Sequence, residues 1–94
     1  MKQNIDISEI NERLFLKKEW TAFEDIETPT QDKTYYIQNR GPETLIACEG
    51  DSEPTTHEGI YVPIYKVLKY VKGSQNLYLR AKSDICTINI SDED

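Results

Sequence analysis

A single histidine is all the sequence contains, and that scarcity removes much catalytic chemistry at once: His57 alone cannot form a multi-histidine metal site or an HExxH motif. Any serine-based triad would have to be built around His57, and no serine lies in a G-x-S-x-G elbow. Glycine is scarce too. Gly41, Gly50, Gly59 and Gly73 stand apart at turn positions rather than gathering as GxGxxG or GxxxxGK, so phosphate cradling has no support. Cysteine is limited to Cys48 and Cys86, far apart, without a CxxC partner and set within apolar strand patterns. They read as buried free thiols, with a disulfide between them as the alternative. No apolar run reaches the length of about 18 residues that spans a membrane, and no early segment joins a basic start to an apolar stretch. The expectation is a chain made and folded in a cytoplasm, without membrane partners. Asn89-Ile90-Ser91 then matches a glycosylation acceptor in form only.

Basic residues are in the minority, 11 against 17 acidic ones for a formal charge of -6. Direct nucleic-acid binding is therefore not expected, because neutralising phosphates takes a basic surface. Lys66, Lys69, Lys72, Arg80 and Lys82 form the one obvious basic cluster of the second half, a positive stripe on a mostly acidic body. Its simpler reading is a set of charges solvating exposed strand faces. Hydrophobic residues make up 37% and charged residues 30% of a 94-residue chain. At this size one domain buries roughly 60 to 65% of the unfolded surface, so partners can supply missing stability.

Regular punctuation is what the chain does have. Pro29, Gly41-Pro42, Gly50 with Pro54, Gly59 with Pro63, and Gly73 divide it into short pieces that suit a sandwich or small barrel. Thr34-Tyr35-Tyr36-Ile37-Gln38-Asn39 and Thr44-Leu45-Ile46-Ala47-Cys48-Glu49 read as two strands joined at Gly41-Pro42 by a tight turn. Trp20 to Ile26 reads as a strand before them, with Trp20 and Ala22 on one face and Phe23 on the other. A short edge segment is expected over Ile60 to Ile64, since Pro63 cannot donate to a central ladder, and a strand over Tyr65 to Val71. Leu77 to Ala81 alternates: Leu77, Leu79 and Ala81 point to the core, Tyr78 and Arg80 to solvent or an interface. In Ile85 to Ile90, Cys86, Ile88 and Ile90 face inward and Thr87 and Asn89 outward.

Two readings compete for residues 1–19. Ser8 can cap a short helix over Glu9 to Lys18, or the segment is an extended arm lying on a neighbouring subunit through Leu14 and Leu16. The loop from Gly50 to Gly59 is the least core-like part of the body. His57 with Asp51, Ser52, Glu53 and Glu58 admits a cation-site reading, but the spacing is not that of a calcium-binding EF-hand and a solvated loop is the simpler account. No catalytic, cofactor-binding or metal-binding residue is assigned. All six tyrosines fall in the β region, and adjacent Tyr35 and Tyr36 must face opposite sides of their strand, one filling the core and the other free for an interface.

The series Thr34-Tyr-Tyr-Ile-Gln-Asn-Arg-Gly41, a Pro-containing polar loop ending at Gly59, and Tyr70-x-x-Gly73-x-x-Asn76-Leu-Tyr-Leu-Arg-Ala81 resembles small phage virion proteins over Trp20 to Ile90. The resemblance implies a structural protein: a capsid decoration or cement component that binds and stabilises the assembled shell. It implies as alternatives a head-tail connector or a tail or fibre part, among them a host-glycan-binding module. It implies no catalytic residue. The expected partners are the major capsid protein or other virion proteins and further copies of the chain; the expected location is the virion after synthesis in the host cytoplasm.

The sequence thus predicts an all-β antiparallel β-sandwich over 20–90, for which a jelly roll is one candidate topology. An N-terminal arm or short helix over 1–19 precedes it and an acidic tail over 91–94 follows. Leu14, Phe15, Leu16, Tyr35, Tyr70, Tyr78 and Arg80 are the expected partner contacts.

Overall fold

The computed structural model describes residues 14–56 and 58–92. The first half of the expected N-terminal helix, the histidine of the polar loop and the last two acidic residues lie outside that range. Among the described residues the strands are β1 (Leu14–Leu16), β2 (Thr21–Ala22), β3 (Thr34–Pro42), β4 (Leu45–Gly50), β5 (Ile60–Val62), β6 (Val67–Val71), β7 (Asn76–Ala81) and β8 (Cys86–Asp92), with one helical turn, α1 (Phe23–Ile26). They form two four-stranded antiparallel sheets, ordered β1-β8-β3-β6 and β2-β7-β4-β5. Apart from the β4-β5 hairpin, each strand is followed by one in the other sheet, and β8 returns to lie between β1 and β3. That order is the jelly roll, an all-β sandwich as expected.

Alternation within the strands builds the core. In β3, Tyr35, Ile37 and Asn39 are buried while Thr34, Tyr36 and Gln38 are half-buried on the opposite face. Cys86 and Ile88 of β8 and Leu16 of β1 continue this layer, and Leu45, Ala47, Leu77, Leu79 and Ala81 face it from the second sheet. Phe23 fills the gap between the layers edge-on to two rings, its centroid 5.3 Å from Tyr35 and 5.9 Å from Tyr70. Cys86 lies in this core and Cys48 on the other face of β4, and both thiols are free.

Two local expectations are corrected. The strand expected over Trp20 to Ile26 ends at Ala22, and Phe23–Ile26 turns helically instead. A strand would point Phe23 and Glu24 to opposite faces; the helical turn lets both meet the body. Phe23 enters the core, while the Glu24 carboxylate accepts from Lys72 Nζ at 2.7 Å and from the Leu77 N–H at 3.2 Å. The hairpin expected around Gly41-Pro42 does not form either: β3 and β4 lie in different sheets. Gly41-Pro42, joined by a cis peptide, lies inside β3, where the pairing with β8 slips by one residue at Arg40. This bulge turns the chain toward the second sheet. Gly41 has φ 81°, and a Cβ there would collide with the side chain of Ile64.

Of the two readings for the N-terminal region, the described end is extended: Leu14–Leu16 is a strand, and it pairs with β8 of its own chain, Leu14 opposite Ile88 and Leu16 opposite Cys86. At the other end β8 runs through Ser91 to Asp92, so the sandwich extends into the expected tail, and Asp92 meets Lys33 Nζ at 3.0 Å.

Burial sets an alkaline limit on this core. The Cys86 thiol is pushed from an ordinary 9.0 to about 11, chiefly by burial, with the Glu43 charge adding to it and a Gly41 backbone hydrogen bond opposing. The Tyr70 hydroxyl is pushed from 10.0 to about 12, again by burial first, then by the Glu49 and Glu24 carboxylates. Both groups are neutral when protonated, so above pH 9 the unfolded chain releases protons that the folded chain retains, and stability falls as pH rises. Urea unfolding should show a loss of roughly 2 to 4 kcal/mol between pH 9 and pH 11. A Cys86→Ser variant should decline less; identical slopes for the two proteins would contradict the assignment.

Candidate partner-binding edge

Asn39 organises one side of the sandwich. Fully buried, its Nδ2 donates to the carbonyls of Glu43 at 2.9 Å and Val62 at 2.7 Å. Its Oδ1 accepts from the Gly41 N–H at 2.7 Å and from the Cys86 thiol at 2.9 Å. Its backbone N–H donates to Lys66 O, and its carbonyl accepts from the Tyr65 N–H. One side chain and its backbone thereby tie the bulge, the crossing to β4, the end of β5 and the turn into β6 to the core.

That turn is closed by Lys66 N–H donating to Pro63 O. It holds Tyr65 at φ 70°, a left-handed conformation that few tyrosines adopt. Gln38 Nε2 donates to the Tyr65 carbonyl at 3.1 Å, and the Arg40 guanidinium stands 5.5 Å from the Tyr65 ring. A left-handed tyrosine held by three contacts, from Asn39, Gln38 and Arg40, is a feature the surroundings over-determine. Tyr65 is nonetheless 61% exposed.

Exposed apolar side chains lie on this turn and on the two strands it joins, with Tyr61 on the outer face of one sheet and Val67 and Val71 on the outer face of the other. Ile60 and Tyr61 of β5, Ile64 and Tyr65 of the turn, and Val67 and Val71 of β6 are all exposed. β5 and β6 are the edge strands of their respective sheets on the same side of the sandwich. Cations accompany these residues on both faces: Arg40 at Tyr65, Lys82 Nζ 5.4 Å from the Tyr61 ring, and exposed Lys66 and Lys69. The arrangement is an edge with exposed apolar side chains and cations beside them, suited to contact with another surface. Among the described residues no three His, Cys, Asp or Glu side chains come together as metal ligands. No helix among the described residues is long and apolar enough to cross a membrane.

The contact set expected from sequence is distributed differently. Phe15 is 68% exposed, but on β1, at the far edge of its sheet from β6. Leu14 is its neighbour on that strand. Leu16, Tyr35 and Tyr70 lie in the core, the Tyr35 hydroxyl accepting from the Thr30 N–H at 2.7 Å. Tyr78 and Arg80 point away from the core yet are buried, Arg80 to 3% exposure. Trp20 lies over that face, its ring 5.7 Å from the Arg80 guanidinium and its Nε1 donating to Thr56 O at 3.2 Å. The polar loop therefore lies across the sheet at this point instead of leaving it open. Ile60, Tyr61, Ile64, Tyr65, Val67 and Val71 were not in that set, because strand propensity does not separate a core-facing Val, Ile or Tyr from an exposed one. The available signal was charge: from Ile60 through Ser83 there is no aspartate or glutamate.

Compared with known proteins, the chain matches no family model, no curated protein and no solved structure.

Proposed function

We propose that the chain is a structural protein of a phage virion, a decoration or cement component that binds the assembled shell through its β5-β6 edge and stabilises it. The observation that carries this reading is the row of exposed apolar residues along the β5-β6 edge, with Ile64 and Tyr65 on a turn tied to Asn39, where Tyr65 is held in a left-handed conformation. A rigid, preordered contact surface loses little entropy on docking. The jelly roll is used by viral capsid domains, and the strand series that resembles small virion proteins contains the Asn39 hub. Repetition on a symmetric shell turns modest contacts into a large summed effect. The role is one of binding, with the major capsid protein or another virion protein as partner.

Quantitative mass spectrometry of purified particles tests this reading. Many copies per particle, in proportion to the major shell subunit, are expected. A single ring's worth of copies would move the chain to a connector or tail part, and absence from the particle would defeat the virion assignment.

A further inference from the structure

Resting on that reading, we infer that the outer edge of β6 is a strand-addition site for an extended segment of a different protein, one with a carboxylate between two apolar side chains. Backbone geometry supplies the first argument. Lys66 accepts from Asn39 and Lys72 donates to Lys33, so the even-numbered residues of β6 turn their backbone groups toward β3. In an antiparallel ladder the alternate residues, Val67, Lys69 and Val71, turn theirs the other way. Among the described residues no strand pairs with β6 on that side. An incoming strand would find a ladder ready to extend.

The side chains state what that strand should carry. Val67 and Val71 are 53% and 51% exposed on one face of β6, and exposed Lys69 stands between them. Apolar, acidic, apolar is the complementary order. Lys66 adds a second exposed cation, whereas Lys72 is already held by Glu24. With no carboxylate in the sequence from Ile60 through Ser83, this stretch offers these lysines no internal neutralisation.

Charge also argues against a second copy as the occupant. Antiparallel pairing of two β6 strands with Val67 opposite Val71 sets Lys69 directly opposite Lys69, and in-register parallel pairing does the same. Like charges in that position oppose association, and lysine on an edge strand is a known guard against self-pairing. The guard alone does not account for two valines left half-exposed beside it.

The test uses the full chain and two synthetic peptides, blocked at both ends, with the central sequences Val-Glu-Val and Val-Lys-Val between threonines. Amide chemical shifts and hydrogen exchange are followed as each is titrated to about 1 mM, the range in which weak edge pairing is measurable. The glutamate peptide should bind saturably and protect the Val67, Lys69 and Val71 amides, and the lysine peptide should not. Lys69→Glu, an exposed substitution, should weaken the glutamate peptide at least about tenfold and admit the lysine peptide. No protection at these amides, or equal binding of both peptides, would overturn the inference. The peptides do not involve the particle, so a chain missing from virions defeats the virion reading alone, and unprotected edge amides defeat the strand-addition site alone.

Discussion

Replacing Asn39 by alanine is expected to destabilise the fold by about 3 to 5 kcal/mol, a large part of the roughly 5 to 15 kcal/mol that holds a domain of this kind together. The reason is stranded partners more than a lost side chain. Without the amide, the carbonyls of Glu43 and Val62 and the N–H of Gly41 lose these hydrogen bonds around a fully buried position, and the Cys86 thiol loses the nearer of its two acceptors. Each buried polar group left unsatisfied costs about 1 to 3 kcal/mol, and partial access of water near half-buried Glu43 keeps the sum below the maximum. Asn39→Asp should be at least as damaging, because a carboxylate cannot donate to two carbonyls and would be buried charged. Denaturant unfolding with an unchanged m-value is the measurement. A loss under about 1 kcal/mol would mean that the bulge, the crossing and the β5-β6 turn hold themselves without Asn39. Hydrogen exchange in the Asn39→Ala variant should show the Tyr65 amide losing protection first, since the turn depends on β5 remaining tied to β3.

Phe23→Ala should be of similar size, about 3 to 5 kcal/mol, as expected for removing a large aromatic side chain from a packed interior. Phe23 is fully buried and meets two tyrosine rings edge-on, so alanine leaves a cavity between the sheets as well as losing both ring contacts. A second readout separates a true core plug from a merely helical contribution. Opening the space beside Tyr70 should hydrate its hydroxyl and bring its pKa down from about 12 toward the ordinary 10.0. Phe23→Leu should retain much of the stability. Urea unfolding together with ultraviolet titration of the tyrosines measures both effects; an unchanged Tyr70 titration in the alanine variant would contradict the packing described.

Both residues show what the sequence makes legible and where it stops. Alternation in Leu77-Tyr78-Leu79-Arg80-Ala81 and in Cys86-Thr87-Ile88 correctly sorts core from outward positions, because a strand has only two faces. The pattern does not say whether an outward face is open. Tyr78 and Arg80 are outward and still buried; at Arg80, Trp20 from the start of the body lies over the guanidinium and is tied to a loop from the middle of the chain. Nothing near positions 78 or 80 encodes that coverage.

Asn39 shows a different limit. Gly41-Pro42 after strand formers is a genuine turn signal, but a hairpin and an inter-sheet crossing both satisfy it. In the folded chain the crossing is tied down by the Asn39 amide, which reaches Val62, 23 positions away. Long-range hydrogen bonds of this kind leave no local trace. The edge was legible in part: Pro63 marked β5 as peripheral, and the basic cluster marked β6. Its exposed apolar residues escaped notice because Val, Ile and Tyr have the same strand propensity whether they face a core or a partner.

The central claim is that the chain docks by its β5-β6 edge, and a particle reconstruction at side-chain resolution tests it most directly. The account predicts that Ile64, Tyr65, Val67 and Val71 are covered by the neighbouring shell protein, with a partner strand continuing the sheet beside β6. It would be contradicted by a chain seated through its β1-β2 edge or its outward sheet faces, with Tyr65 and β6 left facing solvent.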